Sequence, residues 1–130
     1  MGATTDYAPA TQLELAYHEA SDGGVVTARG ELDIATAEQA WTYLRGVVDR
    51  QREPLTVNLS ELTFCDAAGL SVLARTAGRA RELGREVRLT AARPSLLRIM
   101  KITGMDETFP EVRNPKLDMI AWPRQVAAGD

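Results

Sequence analysis

The segment Val57–Leu70 contains the residues of this chain whose types and spacing most clearly indicate a functional site. An apolar, β-prone run ends at Asp66, and Ala67, Ala68 and Gly69 then lead into a helical pattern. Asp66 is a good helix N-cap, because its carboxylate can accept a hydrogen bond from an amide two or three residues on. The first amides of a helix have no intrahelical acceptor, so a phosphate on a side chain at position 67 would be well placed. Ala67 has no hydroxyl to carry one.

Other residues that could do chemistry are few. His18 is the single histidine and Cys65 the single cysteine, and one of each makes no metal site. We expect His18 to be solvated on the polar face of a strand and Cys65 to be a buried structural thiol. The sequence contains no Gly-x-Ser-x-Gly, P-loop or Gly-x-Gly-x-x-Gly motif. It therefore predicts a protein that is not an enzyme and uses no cofactor or metal.

A phospho-aspartate receiver-like signalling domain is the main rival hypothesis, with Asp66 as the acceptor at a strand end. That chemistry needs further carboxylates to hold Mg²⁺ and a lysine to neutralise the phosphate. Lys101 and Lys116 are the two lysines, and no acidic pair follows the first predicted strand.

Composition limits the class of protein. The chain has 130 residues, of which 45% are hydrophobic and 25% charged, as expected for one ordinary globular domain. No apolar run approaches the ~20 residues that cross a bilayer, and the first residues lack the basic and apolar parts of a signal peptide. With a single cysteine, the sequence predicts a cytoplasmic protein that has no membrane partner.

The net charge of −3 is unevenly distributed. The first 66 residues hold four arginines and eleven acids, whereas the remainder hold eleven basic and seven acidic residues. The basic half has no aromatic residue in 67–104 for base stacking, and charges of both signs alternate from Arg79 to Glu86 as on a solvated helix. We therefore expect no direct binding to nucleic acid.

Hydrophobic periodicity predicts the first half of the fold. Leu13, Leu15 and Tyr17 alternate with polar residues as in a half-buried strand, and Asp22-Gly23-Gly24 predicts a hairpin turn before a strand over 25–29. A helix follows from Thr36 to Asp49, and Thr36 with Gln39 fits a capping box. Its predicted apolar face comprises Ala37, Ala40, Trp41, Leu44, Val47 and Val48. Leu55, Val57 and Leu59 predict the central strand.

The second half continues with alternating helices and strands. A helix starts near Asp66 and ends at Gly84; the residues predicted to be buried on it are Leu70, Leu73, Ala74, Ala77 and Leu83. Val87 and Leu89 predict a fourth strand, and Pro94 opens a helix that carries Leu97, Met100 and Lys101 and ends at Gly104. A weak edge strand over 108–112 and a short helix over 114–122 complete the order ββαβαβαβα.

This order predicts an α/β fold with a mostly parallel or mixed sheet covered by helices. We expect one domain over residues 11–122, with flexible ends at 1–10 and 123–130.

Three motifs in this order resemble anti-sigma-factor antagonists of the STAS domain family. Asp66-Ala67-Ala68-Gly69-Leu70 is similar to the family's Asp-Ser-(Ser/Thr/Ala)-Gly-Leu, and Gly30-Glu31-Leu32-Asp33 with Thr36-Ala37 resembles its Gly-Glu-Leu-Asp…Thr-Ala segment. Arg93-Pro94, Ile99-Met100 and Thr103-Gly104-Met105 resemble a third stretch. The resemblance extends from about Leu13 to Ile120 and predicts a single STAS-like domain.

The resemblance implies a bacterial binding module that binds an anti-sigma factor, often one with a serine-kinase ATPase fold, and thereby frees a sigma factor for transcription. In the family a kinase phosphorylates the serine after the aspartate, which breaks the complex; Ala67 at that position implies that the switch is missing. The docking surface implied by the resemblance comprises Gly30, Glu31, Leu32, Asp33, Ile34, Asp66, Ala67, Ala68, Gly69, Leu70, Ser71 and Arg75.

Several alternatives stay open at this stage. Asp66 to Gly69 also fits a well-capped helix start with alanines present for their helix propensity alone. The alanine is compatible both with a natural variant and with an engineered replacement of serine. A STAS module that senses a small molecule, and a homodimer, are both compatible with the sequence.

Overall fold

The computed structural model describes residues 12–109 and Val112. The elements follow the order ββαβαβα with a short helix after them: β1 (Leu13–Ala20), β2 (Gly23–Leu32), α1 (Ala37–Arg50), β3 (Leu55–Cys65), α2 (Ala67–Glu82), β4 (Val87–Thr90), α3 (Pro94–Thr103) and α4 (Met105–Thr108). The predicted α/β class is confirmed, and so is the predicted order of elements from β1 through α3.

The four strands form one mixed sheet in the order β1-β2-β3-β4. A hairpin joins β1 to β2 in antiparallel pairing, whereas β2, β3 and β4 run parallel because α1 and α2 connect them. Val57 pairs with Val26 on one side and with Leu89 on the other. The predicted central position of this strand is therefore confirmed, and Leu59 is fully buried.

The strand β3 extends beyond the five residues predicted. The prediction stopped early because two register shifts in the pairing of β3 with β2 interrupt the alternation of side chains. Between Thr27/Arg29 and between Gly30/Glu31 on β2, the partner strand supplies one additional residue each time. The inward side chains of β3 consequently change from a spacing of two to a spacing of three, and Leu59, Leu62 and Cys65 are all buried. Strict alternation ends at Leu59, which is where the sequence-based prediction ended the strand.

Both long helices place an apolar face on the sheet. On α1 the buried residues are Ala40, Leu44, Val47 and Val48, and on α2 they are Gly69, Leu70, Val72, Leu73, Thr76, Ala77 and Ala80. Two predictions for α2 are wrong: Ala74 is exposed and Leu83 is 37% exposed. The buried arc is centred on Leu73 and Thr76 instead. Thr76 tolerates burial because its hydroxyl donates to the Val72 carbonyl at 2.8 Å.

The predicted capping box at α1 is also wrong. The Thr36 hydroxyl donates to the Glu31 carbonyl at 2.9 Å. The side-chain amide of Gln39 donates to the Leu13 carbonyl at 3.1 Å. The carboxylate of Asp33 takes the capping role for the preceding turn, accepting from the amides of Ala35 at 2.9 Å and Thr36 at 3.2 Å. The Thr36 amide, which the Gln39 side chain would bond in a capping box, is therefore already bonded to Asp33.

The C-terminal part confirms the helix boundaries and corrects one strand. Gly84 and Gly104 have left-handed φ angles of +70° and +83° at the ends of α2 and α3. Thr108, predicted to begin an edge strand, instead ends α4. Phe109 is in no strand, and Val112 lies in a 3₁₀ turn. The Val112 carbonyl accepts a hydrogen bond from the Ala92 amide at 3.0 Å. The predicted helix over 114–122 and both predicted flexible ends lie outside the described residues.

Within residues 12–109 and at Val112, none of the helices has the length and apolar character needed to cross a bilayer.

Candidate interaction surface

The N-terminus of α2 has the capped geometry that the sequence predicts. The Asp66 carboxylate accepts from the Gly69 amide at 3.0 Å, and the Asp66 carbonyl accepts from the Leu70 amide at 2.9 Å. The Asp66 amide donates to the Leu32 carbonyl at 3.3 Å. Asp66 thus holds the start of α2 against the end of β2.

Gly69 is required by a close approach within this chain. A Cβ atom there would lie 2.5 Å from the Leu32 carbonyl oxygen and 2.7 Å from the Cys65 sulfur, closer than ordinary packing allows. Leu32, Gly69 and Leu70 are buried, so these three of the implied docking residues shape the surface and are not themselves open to a partner.

The exposed side of α2 starts at position 67. Ala67 is the first residue of the helix and is exposed, Ala68 is half-buried, and Ser71 and Arg75 are exposed at intervals of four residues. This spacing places Ala67, Ser71 and Arg75 along one side of the helix. Position 67 is therefore open to solvent at the positive end of a helix dipole, but its side chain is a methyl group.

The other docking segment implied by the resemblance is residues 30–34, at the end of β2 and the beginning of the turn into α1. It lies beside the start of α2. Gly30 has φ +110°, and a Cβ there would collide with the Gln12 main chain. The Glu31 amide donates to the Gln12 carbonyl at 2.6 Å. Asp33 is half-buried, whereas Glu31 is exposed and Ile34 is 81% exposed. The structure therefore brings both implied docking segments to the same edge of the sheet, where β2 and β3 end.

Phe64 belongs to this surface and was missed by the sequence analysis. It is 51% exposed and pairs with Glu31 across the β2–β3 ladder. Phe64 and Ile34 are two exposed large apolar residues at the ends of β3 and β2, and exposed apolar surface commonly marks protein–protein contacts. The three-residue spacing of Leu59, Leu62 and Cys65 could have shown that Phe64 points outward.

Cys65 is buried, as expected. Burial, with a smaller contribution from the charge of Asp66, raises the pKa of the Cys65 thiol to about 12. A thiol with that pKa is almost fully protonated near neutral pH and is a poor nucleophile.

Within the described residues, no three His, Cys, Asp or Glu side chains lie together as a metal site would need. His18, expected to be solvated, is half-buried on β1 in register with Val25.

A groove between α1 and α2 continues the exposed side of α2. Trp41, which the periodicity placed on the buried face of α1, is half-buried. The Arg75 guanidinium carbon lies 4.2 Å from the Trp41 ring centroid, and that of Arg45 lies 6.0 Å away. Arg79 donates to the Asp49 carboxylate at 2.9 Å and 3.4 Å, and the pKa of Asp49 is lowered mainly by this hydrogen bond.

The order of the elements and the mixed four-stranded sheet agree with structures of known proteins. The family model described as "Mlab, STAS domain" matches residues 15–117. The chain belongs to the STAS domain family.

Named relatives refine this comparison. The chain is 32% identical over 110 residues to the anti-sigma-F factor antagonist RsfA of Mycobacterium tuberculosis, across 82% of this chain and 84% of that protein. The crystal structure of an anti-sigma factor antagonist from Mycobacterium paratuberculosis has a TM-score of 0.65 at 30% identity, covering 79% of this chain and 86% of that one.

A more distant match is the phosphorylated form of the Bacillus cell fate determinant SpoIIAA. Its TM-score is 0.59 at 14% identity, over 89% of this chain and 98% of that one, which is a likeness of fold.

Proposed function

We propose that this protein is an anti-sigma-factor antagonist: a module that binds an anti-sigma factor and thereby frees a sigma factor for transcription. The observation that carries the proposal is the exposed start of α2, where Asp66 caps the helix and Ala67 faces solvent beside the β2–α1 turn. The names of the mycobacterial relatives support the same function. The module turns over no substrate, needs no cofactor, and works in the cytoplasm, where sigma factors bind RNA polymerase.

The contacting residues in this proposal are the exposed and half-exposed members of the implied set, with Phe64 added. They are Gly30, Glu31, Asp33, Ile34, Phe64, Asp66, Ala67, Ala68, Ser71 and Arg75. Ile34 and Phe64 provide apolar contact area, and burial of such side chains gives most of the free energy of association. Leu32, Gly69 and Leu70 form the support beneath them.

The partner is an anti-sigma factor of the serine-kinase ATPase type, and Ala67 keeps this antagonist permanently competent to bind. A phosphoserine at position 67 would add a charge of about −1.5 to −2 beside Asp66. Like charges brought together in an interface cost several kcal/mol. The methyl group of Ala67 removes this means of release, so control passes to expression of the antagonist or to the partner.

The test uses the purified chain and the anti-sigma factors of its host, assayed one at a time, with the M. tuberculosis anti-sigma-F factor included. Calorimetry should give binding to one of them, and adding the chain to that anti-sigma–sigma complex should release free sigma factor. Absence of binding to every anti-sigma factor, with no sigma release, would refute the proposal.

A further inference from the structure

The groove between α1 and α2 is lined by Trp41, Arg45, Arg75, Gly78, Arg79 and Glu82 and has a volume of about 360 Å³. It opens on the same side of α2 as Ala67 and Ser71. Three of its features point to a ligand of defined chemistry.

The first feature is a pair of guanidinium groups whose charge is poorly neutralised. Arg75 stacks on Trp41 at 4.2 Å and forms no ion pair in the part of the chain that the structure describes. Arg45 reaches the Asp49 carboxylate only at 3.9 Å, with side chains 53% and 36% exposed, and such surface pairs contribute little. Arg79, by contrast, is neutralised by Asp49 at 2.9 Å and Glu82 at 3.5 Å.

The second feature is the glycine on the groove floor. Gly78 lies in the interior of α2, where glycine is the least favourable residue apart from proline. A Cβ added to Gly78 would meet nothing within 4 Å. Packing inside the molecule therefore gives no reason for a glycine here, in contrast to Gly69, where a Cβ would collide with β2. The space above Gly78 can admit a side chain or main chain from outside.

The third feature is the continuity of the groove with the proposed docking surface. Ala67, Ser71 and Arg75 follow one side of α2 at intervals of four residues, and Arg75 is both the last of these residues and a wall of the groove. A protein that covers the start of α2 would reach the groove with its next few residues. The whole chain carries a net charge of −3, so attraction of an acidic partner must come from a local cluster such as this one.

We infer that this groove receives an acidic segment of the anti-sigma factor. One carboxylate pairs with Arg75 and Arg45, the neighbouring residue lies over Gly78, and the Trp41 ring supplies the apolar wall. The inference rests on the proposed function and adds a charged second contact to the apolar contact made by Ile34 and Phe64.

The test is a binding series with the anti-sigma factor that captures the unmodified chain. Arg45→Gln/Arg75→Gln should weaken binding by about tenfold or more and reduce the dependence of the association rate on salt, because the steering charges are lost. Arg75→Lys keeps the charge but loses the planar stack on Trp41. Its affinity should lie between those of the unmodified chain and the double variant. Arg81→Gln, which removes an exposed arginine of the same helix away from the groove, is the matched control.

A steric variant separates the groove from general loss of charge. Gly78→Leu should fill the space above the helix and weaken binding by about tenfold, while the Tm is unchanged or higher because leucine is the better helix former. Circular dichroism monitors the fold of every variant. If the unmodified chain binds and both the double arginine variant and Gly78→Leu bind equally well, the groove inference is wrong and the proposed function stands. If the unmodified chain binds no anti-sigma factor, both fail.

Discussion

The main-chain amide of Asp66 donates to the carbonyl oxygen of Leu32 at 3.3 Å, where β2 and β3 end side by side. The same Leu32 pairs with Cys65 in the last rung of the β2–β3 ladder. Through these contacts the start of α2 and the turn into α1 are held together by the main chain. The exposed residues of the two segments, Ile34 and Ala67 among them, are therefore positioned before any partner arrives, which lowers the ordering cost of binding.

Removal of the helix cap should lower stability without changing the fold. Asp66→Ala deprives the Gly69 amide of its acceptor and should decrease the free energy of unfolding by about 1 kcal/mol. Asp66→Asn should cost less, because asparagine is also a good N-cap. Urea denaturation followed by circular dichroism measures both, with Glu19→Ala at an exposed strand position as the control. Equal stabilities of the Asp66→Ala variant and the unmodified chain would contradict the capping role.

Two glycine substitutions in α2 should have opposite effects. Gly69→Ala forces a methyl group against Leu32 and Cys65 and should destabilise the protein by about 1–3 kcal/mol. Gly78→Ala meets open space and should stabilise it by about 0.5–1 kcal/mol, as expected for glycine replaced by alanine inside a helix. Paired thermal and urea denaturation compares them. A destabilised Gly78→Ala variant would show that the groove floor is occupied within the protein itself.

Charge at position 67 should govern partner binding more than size. Ala67→Ser should bind an anti-sigma factor nearly as tightly as the unmodified chain, because its hydroxyl can be solvated or satisfied locally on the first turn. Ala67→Asp should fold normally, since the helix N-terminus favours a carboxylate by about 0.3–1 kcal/mol. It should nevertheless bind roughly tenfold or more weakly, because its charge joins that of Asp66 in the interface. Calorimetry decides this, and equal affinities would place the interface elsewhere.

The unmodified chain should take up no phosphate at the central turn. Incubation with a kinase-type anti-sigma factor, ATP and Mg²⁺, followed by intact-mass analysis, should leave the mass unchanged, because Ala67 has no hydroxyl and a kinase presents its γ-phosphate at one place. The Ala67→Ser variant in the same reaction is the matched comparison and should gain one phosphate. Stoichiometric phosphate on Ser60, Thr63 or Ser71 of the unmodified chain would overturn the hypothesis of a permanently active antagonist.

The Cys65 thiol should be slow to react and should make stability fall at high pH. Its pKa is raised from 9.0 to about 12 in the folded protein. The folded state therefore keeps a proton that the unfolded state loses, and the free energy of unfolding should decline as pH rises from about 9 to about 12. Urea denaturation across that range should show a steeper decline than for Cys65→Ala. Rapid labelling of the native thiol at pH 8 would contradict its burial.

Prediction from sequence succeeded where short-range chemistry decides the structure. The Asp66 cap, Pro94 at the start of α3 and the left-handed glycines at positions 84 and 104 are all encoded by a few consecutive residues. The central place of the Val57 strand followed from its nearly continuous apolar character.

Prediction failed where distant residues compete. Gln39 fits a capping box by its spacing, but it donates to the Leu13 carbonyl of a neighbouring strand. Trp41 fits the apolar face of α1, but it lies at the edge of the core, where Arg75 from α2 stacks on it. The exposure of Phe64 depends on how β3 pairs with β2. The partners of Gln39 and Trp41 cannot be identified from residues near them in the sequence, whereas the apolar spacing after Leu59 gives a local signal for Phe64.

The two register shifts between β2 and β3 also determine which kinds of genetic change the end of β3 can tolerate. Each shift adds one residue to β3 relative to β2, so the outward orientation of Phe64 depends on the number of residues between Leu59 and Cys65. Substitutions at Ser60, Glu61 or Thr63 alter the chemistry of the edge but keep this orientation. Loss of a single codon there would exchange inward and outward side chains at the strand end. In related sequences the positions of Ser60, Glu61 and Thr63 should therefore vary in composition, while the buried position of Leu62 stays apolar and the length of the stretch stays constant.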